Sequence, residues 1–533
     1  MIGIQHICRL MGTYQSICEG QFFSVIMSNF CNGFGYSWNI FYSPLTAYAP
    51  LIFKIFNLSF TNCIKIFMAV VVYLSGLAMY KFTKKVTKND NIATIAAILY
   101  ILAPYRVTDM YVRNALAELT SFIFIPIVFK GLYSLLNDEK LTFTMALGTI
   151  GLILTHTIIT MYTAILCFIY LILNVKKLRN KKVLKNIIIN LIFIVIISSF
   201  FWVPLLEHKM ATTYEVFVPG RMERPATLKD LKVYPIELIY TPKIQTHIYQ
   251  IGIVNLIGIL LIGYAYDKIP KEYRKITLIF LIMGIILTIM TLRFFPFEKL
   301  PAILKMIQFT FRLFEFTSFF FAFVAAVNIG TVLKKVKVYD VVFLLSISIL
   351  LLVPYKSKIE YKAQDETELW PATEVTSDTG RLHAGLASFE YLPSNAFKNK
   401  DYIIKRTQEP IIVSGNATIE EYSKNGTNMQ MKISDITEGT KIELPYIYYL
   451  GYQITYTNLN DNTKEIIKYS ESEKGFIQIE VNQASENICI NVKYTGTMEM
   501  KITVIVSALG LLVMLFIAIR QKYLLYSEKY SKI

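Results

Sequence analysis

YRVTDMYVRNALAE, residues Tyr105–Glu118, sets four charged side chains between two apolar runs, 91–104 and 117–136, each of a length and composition suited to crossing a bilayer. Arg106, Asp109 and Arg113 fall at i, i+3 and i+7, so a regular helix stacks them on one face, with Glu118 a turn further on. Charge beside hydrocarbon is costly, and such residues pair with one another, line a polar cavity or bind something. This stretch defines the fold class, a polytopic helical membrane protein, and it is the first place to look for function.

The rest of the chain agrees. Its 533 residues are 54% hydrophobic and include 36 Phe and 35 Tyr, and the mean hydropathy is +0.45. The net charge of +16 is unevenly spread. Residues 355–500 hold 15 Lys+Arg against 21 Asp+Glu, so the excess of cations lies in the remainder, much of it in short loops such as 81–88 and 176–185. That distribution marks cytoplasmic loops of a membrane protein and excludes a nucleic-acid-binding groove. Six cysteines without CxxC spacing and five scattered histidines supply neither a disulfide framework nor a metal motif.

Apolar runs give about eleven spans: 62–82, 91–104, 117–136, 141–156, 157–174, 186–206, 248–266, 276–293, 310–333, 338–354 and 501–520. Basic connections place the C-terminus inside. Residues 43–60 begin at a proline and carry Lys54 near the middle, and they read as an amphipathic helix in the outer interface. Eleven spans require residues 1–42 to lie outside with nothing before them to carry them across; the chain reads as one missing its first transmembrane helix, the alternative being a protein whose N-terminus lies outside. The organisation expected is therefore 1–61 as outer loop and interfacial helix, 62–354 as a transmembrane bundle, 355–500 as an extracytoplasmic β-rich domain, and 501–533 as last span and cytoplasmic tail. Alternation in NMQMKI (428–433), FIQIEV (476–481) and ICINVKY (488–494) predicts antiparallel strands in a β-sandwich-like domain.

Seven segments in order carry a resemblance: EGQFFSVIMSNFCNGFGYSWNIFYSPLTAY (19–48), APYRVTDMYVRNALAE (103–118), LTHT (154–157), FPFEKLPAILKMIQFTFRLFEF (295–316), FEYLP (389–393), ELPYIYYLGYQ (443–453) and VKYTGT (492–497). The chain resembles a bacterial membrane family named 6-pyruvoyl-tetrahydropterin synthase-related, and the neighbouring YfhO-like proteins. It lacks the zinc-binding histidine set of the enzyme in that name, so the name implies no pterin chemistry. Both groups are similar to the GT-C superfamily of membrane glycosyltransferases. That similarity implies a cytoplasmic-membrane enzyme that moves a sugar from a polyprenyl-phosphate donor to a cell-envelope glycan or glycolipid on the outer face, among membrane lipids. No cofactor and no dedicated zinc site is expected, with a divalent metal left open. Members of that superfamily carry a catalytic Asp in the first outer loop; here the matching position falls on the initial MIGIQ, which has no acid.

Such a transfer needs a carboxylate to take the acceptor's proton and cations to stabilise the leaving phosphate. The candidate carboxylates are Asp109, Glu118 and Glu19. The candidate substrate-binding residues are Arg106, Arg113, His6, Arg9, His156, Arg312 and Glu315. Arg221, Glu223 and Arg224 are exposed loop candidates. The aromatic residues Tyr36, Trp38, Phe41 and Tyr42 suit a sugar platform or an interfacial belt; Tyr446, Tyr448, Tyr449 and Tyr452 suit glycan binding or strand core. A structural ion-pair lattice competes with catalysis for the 105–118 cluster. A lipid-linked glycan carrier or flippase, and a non-catalytic envelope-biogenesis protein, are the competing functions.

Overall fold

The computed structural model of the chain describes residues 2–23, 25–219, 232–239, 249–333 and 389–530, with isolated positions at 340, 343, 346, 347, 349 and 386. Apart from those positions, the expected span 338–354, the loop residues Arg221, Glu223 and Arg224, and the start of the 355–500 domain lie outside the described residues. The chain divides into two compact units. One comprises Met1–Cys63, Ser199–Arg221 and Gln364–Val506; the other comprises Ile64–Ser198, Met222–Ala363 and Ser507–Ile533.

Among the described residues six helices are long and apolar enough to cross a membrane: Phe60–Thr87, Leu116–Asp138, Lys181–Ala211, Lys271–Thr291, Thr310–Leu333 and Met498–Gln521. A seventh is formed if Asp90–Ile101 and Pro104–Val112, bent by 43° at their junction, count as one span. Asn89 starts that segment by accepting the Asn91 and Ile92 amides, and Pro104 restarts it after the bend. The expectation of about eleven spans differs from this at three places. The runs 141–156 and 157–174 form helices Thr144–Ile153 and Thr157–Ile172 of only 10 and 16 residues, about 15 and 24 Å against a hydrocarbon core of about 30 Å. The run 248–266 breaks at Leu261 into Ile253–Leu260 and Ile262–Ala265. The first two helices divide where the runs 141–156 and 157–174 meet, but their shortness and the break at Leu261, itself apolar, were concealed by continuous hydropathy.

Close packing explains how the short helices are held. At Gly131 in the Leu116–Asp138 helix, an added Cβ would stand 2.1 Å from the Met145 main-chain nitrogen. At Gly148, on the facing helix, one would stand 2.8 Å from the Val128 nitrogen. Small residues let the two backbones meet where lipid offers no hydrophobic gain for helix association. Asn190 satisfies the start of the Thr144 helix, accepting from the Ala146 amide at 3.1 Å and donating to the Thr142 carbonyl at 2.9 Å. A wall of phenylalanines fills the interior: Phe129, Phe280, Phe319, Phe320 and Phe323 pack with Phe82 in tilted and edge-on pairs.

Among its described residues the first unit contains a helix at Ile2–Cys18, a helical segment at Leu45–Phe56 and nine strands: β1 (Ile411–Ser414), β2 (Thr418–Asn425), β3 (Asn428–Ile436), β4 (Thr440–Ile447), β5 (Tyr452–Asn458), β6 (Lys464–Ile467), β7 (Tyr469–Glu471), β8 (Phe476–Val481) and β9 (Ser485–Tyr494). They form two antiparallel sheets, ordered β1-β4-β8-β7 and β2-β3-β9-β5-β6. Register places Met431 opposite Ile490 and Ile490 opposite Tyr456, so the apolar positions of the alternating runs share one face. Side chains from both sheets enter one core together with Ile26, Phe30, Phe34 and Tyr36 of the N-terminal segment.

That core accounts for the aromatic candidates. Tyr36, Trp38 and Phe41 are buried, and Phe41 stacks on Tyr391 at 5.5 Å. Tyr446, Tyr448, Tyr449 and Tyr452 are buried too, with Tyr449 donating to the Tyr391 carbonyl at 2.8 Å. Of the readings open for these rings, burial favours strand and loop core, with Tyr391 of FEYLP packed on Tyr36, Trp38 and Phe41. An ion pair also lies inside this unit. Arg406 Nε donates to Glu443 Oε1 at 3.0 Å, and Tyr402 and Ser472 donate to the same carboxylate at 2.7 Å each.

Candidate functional site

The quoted stretch is helical, but not regularly so. Pro104–Val107 is an α turn, Thr108–Arg113 winds as a wider π turn, and Asn114 ends it in the left-handed region at φ 51°. The Ala115 amide then reaches back to the Asp109 carbonyl at 2.9 Å. Such wide turns often mark functional sites. Here the turn brings Asp109 and Arg113 together and sends Arg106 elsewhere, so the single charged face expected from i, i+3, i+7 spacing is replaced by a split arrangement.

Arg113 is the hub. Its Nη1 lies 2.5 Å from Asp109 Oδ1 and 2.9 Å from Glu118 Oε1, and its Nη2 lies 3.0 Å from Glu118 Oε2. The guanidinium also rests 4.8 Å from the Phe311 ring centre. Glu118 takes further bonds from the Tyr105 hydroxyl and from Arg312 Nε, the latter at 3.1 Å. Arg312 is itself anchored, with Nη1 donating to the Ile307 carbonyl at 3.1 Å and to Gln308 Oε1 at 2.6 Å. Glu315, one turn after Arg312, contacts Ser121, whose hydroxyl also lies 2.5 Å from the Glu118 main-chain carbonyl. Asp109, Glu118 and Glu315 are each no more than 1% exposed.

Each carboxylate has a different standing. Both oxygens of Glu118 are saturated by charged and hydroxyl donors. Asp109 gives one oxygen to Arg113, and its Oδ2 has no hydrogen-bond partner among the described residues. The same holds for Glu315 Oε2 and for Arg106 Nε. Arg106 is 2% exposed and, among the described residues, meets only neutral oxygens, the Ile101 carbonyl at 3.2 Å and Ser75 Oγ at 3.4 Å, with the Phe122 ring 5.5 Å away. Asp109 and Glu315 act on it through space without bonding to it.

The remaining candidates have other partners. His156 caps the Thr157–Ile172 helix, its ring accepting the Ile159 amide at 3.4 Å, and it lies within electrostatic reach of Arg312 and Glu118. Glu19, in the first unit, receives the Ser28 hydroxyl at 2.7 and 2.9 Å and Gln15 Nε2 at 3.1 Å. It sits against the β2–β3 turn, where a Cβ on Gly426 would stand 2.7 Å from its Oε2. Arg9 is 1% exposed and bonds Asn39 Oδ1 at 3.0 Å and the Ser43 carbonyl at 2.8 Å, under the Tyr42 ring. His6 beside it is held down to about 3 by burial and by the Arg9 charge, and is neutral at physiological pH.

Thus Asp109, Arg113, Glu118, Arg312 and Glu315 come together, Arg106 stands beside them, and Glu19, His6 and Arg9 belong to the other unit. Sequence reasoning missed Tyr105, Ser121 and Gln308. Ser121 was findable as a hydroxyl three residues after Glu118 in an apolar run, next to Thr120; Gln308 stands four residues before Arg312. No group of three His, Cys, Asp or Glu side chains converges as metal ligands among the described residues.

A family description reading "6-pyruvoyl-tetrahydropterin synthase related domain; membrane protein" matches residues 40–359. A protein of Lactococcus lactis subsp. cremoris (strain MG1363), described as "Uncharacterized protein", is 24% identical over 520 residues, covering 89% of this chain and 83% of its own. No solved structure matches the chain.

Proposed function

The chain belongs to the 6-pyruvoyl-tetrahydropterin synthase related family of membrane proteins, and from that premise we propose that it is a glycosyltransferase of GT-C type. It transfers a sugar from a polyprenyl-phosphate donor to a cell-envelope acceptor at the outer face of the cytoplasmic membrane, with the β-rich domain on that side. The observation that carries the reading is Asp109. Its Oδ1 is oriented by Arg113, while its Oδ2 has no partner among the described residues. With Oδ1 held by Arg113 and Oδ2 bonded by no described residue, one carboxylate oxygen is left to take a proton.

In this reading Asp109 Oδ2 takes the proton of the acceptor hydroxyl. The freed oxygen pair attacks the anomeric carbon, and the bond from that carbon to the phosphate oxygen breaks, leaving its electrons on the polyprenyl phosphate. Arg106 is the guanidinium best suited to receive that phosphate, since its described partners are neutral. Glu118 is assigned away from proton transfer, because both of its oxygens already accept bonds from donors that fix it. It orients Arg113, which orients Asp109.

One observation favours a second reading. The forked Arg113–Glu118 pair with Arg312 is a complete, buried lattice of the kind that holds helices together, which suits a non-catalytic envelope-biogenesis protein. Cells lacking the protein separate the two. The transferase reading expects a polyprenyl-phosphate sugar to accumulate in extracted lipids while one substituent disappears from the envelope polymer. Loss of polymer without donor accumulation contradicts it.

A further inference from the structure

Hydrogen-bond arithmetic at Ser121 bears on the state of Glu315. The Ser121 hydroxyl has one hydrogen and lies in bonding range of two oxygens, the Glu118 main-chain carbonyl at 2.5 Å and Glu315 Oε1. A carbonyl oxygen cannot donate, and an ionised carboxylate cannot either. If Glu315 were ionised, one of these two contacts would set acceptor against acceptor with no proton between them. A proton on Glu315 resolves both: Glu315 donates to Ser121 Oγ, and Ser121 donates to the Glu118 carbonyl.

The surroundings agree. The groups facing Glu315 are Glu118 and Ser121 from one helix, Asp109 and Arg106 from the 104–113 segment, Arg312 from its own helix and Tyr100 from the Asp90–Ile101 helix. Arg312 directs Nε to Glu118 and Nη1 to Ile307 and Gln308. The Tyr100 hydroxyl donates to the Phe122 carbonyl at 2.9 Å. Arg106 is the natural counter-charge, yet its Nε and Glu315 Oε2 are both without partners among the described residues. Full burial of an unpaired carboxylate is far costlier than burial of the acid form.

We propose that Glu315 is a proton-holding group, a neutral carboxylic acid, and that it serves as a positioning residue for Glu118 and Arg312. Its proton ties the Leu313–Leu333 helix to the Leu116–Asp138 helix through Ser121. Its neutrality leaves Arg312, three residues earlier on the same helix, committed to Glu118. Ionisation would offer Arg312 a competing carboxylate and loosen the fork that orients Arg113. This inference is independent of which reaction the site performs.

Infrared difference spectra of the purified full-length protein in detergent test it. The expected result is a carboxylic-acid carbonyl band that shifts in heavy water, is absent from Glu315→Gln, persists in Asp109→Asn, and moves to higher frequency in Ser121→Ala as its hydrogen bond is lost. Glu315→Gln, a neutral isostere, should melt close to wild type, whereas Glu118→Gln should melt well below it. A wild-type spectrum without that band, a band lost in Asp109→Asn instead, or a Glu315→Gln protein that folds but melts as low as Glu118→Gln would overturn the proposal. Should Glu315→Gln fail to fold, the Ser121→Ala shift decides alone: an unmoved band refutes the bridge.

Discussion

Arg113 and Glu118 meet as a fork on a fork, Nη1 to Oε1 at 2.9 Å and Nη2 to Oε2 at 3.0 Å, with both side chains at most 4% exposed. A buried two-pronged pair of this kind is specific in direction as well as strong. It also makes each partner dependent on the other, since a lone buried charge is far worse than none.

Glu118→Gln should therefore lower stability by about 3–5 kcal/mol, because Arg113 and Arg312 are left facing an amide. The double variant Arg113→Met with Glu118→Met should be more stable than Glu118→Gln alone, as Asp109 and Arg312 then balance. Thermal unfolding in detergent checks this, and a double variant no better than the single one would contradict the pairing.

Arg106 and Arg113 should respond differently to removal. Arg113→Met strands Asp109 and leaves Glu118 to Arg312 and Tyr105 alone, and should cost about 3–5 kcal/mol. Arg106→Met gives up two weak bonds to neutral oxygens, about 1 kcal/mol each. If Arg106 receives phosphate, its variant should fold and insert well while the envelope modification is lost. Comparable melting losses in the two variants would remove the distinction.

Helix packing gives a third expectation. Gly131→Ala sets a methyl 2.1 Å from a main-chain nitrogen, where no side-chain rotation gives relief. The two backbones must separate, at a cost of about 1–3 kcal/mol or more. A wild-type melting temperature for that variant would show that the Thr144–Ile153 helix does not pack so closely.

In the β-rich unit, Lys424 sits among the Gly33 and Pro445 carbonyls and Gln408 Oε1, at 2.6, 2.9 and 2.6 Å. Burial, with the positive Arg406 nearby, lowers its pKa from 10.5 to about 7. Between those two values the unfolded chain binds more protons than the folded one, so stability rises with pH across that window and is flat in this respect below about 7. Full-length Lys424→Met should lack that rise. Parallel pH profiles for wild type and variant would contradict the burial.

Much of this architecture was legible in the sequence. Runs such as 62–82, 117–136 and 310–333 become long helices because hydropathy sustained over a bilayer's width leaves the backbone no alternative to internal hydrogen bonding. NMQMKI, FIQIEV and ICINVKY become β3, β8 and β9 because alternation allows only one buried face. The boundary at Leu154–His156 was legible, since the runs 141–156 and 157–174 meet there; the shortness of the two helices and the break at Leu261, itself apolar, were not. The π turn at Thr108–Arg113 carries no local signature either. The partnership of Glu118 with Arg312, 194 positions apart, is long-range and became visible only with the fold. The burial of Tyr36 and Trp38 under Tyr391 has the same origin.

The central claim concerns Asp109, and the composition of the envelope glycan in cells carrying Asp109→Asn tests it most directly, with membrane insertion of the variant confirmed at the wild-type level. The amide keeps the shape of the side chain and one bond to Arg113 but cannot take a proton. The account predicts that the glycan modification is abolished, and abolished likewise in an inserted Arg113→Ala variant. An unchanged glycan in both would contradict the assignment of this site.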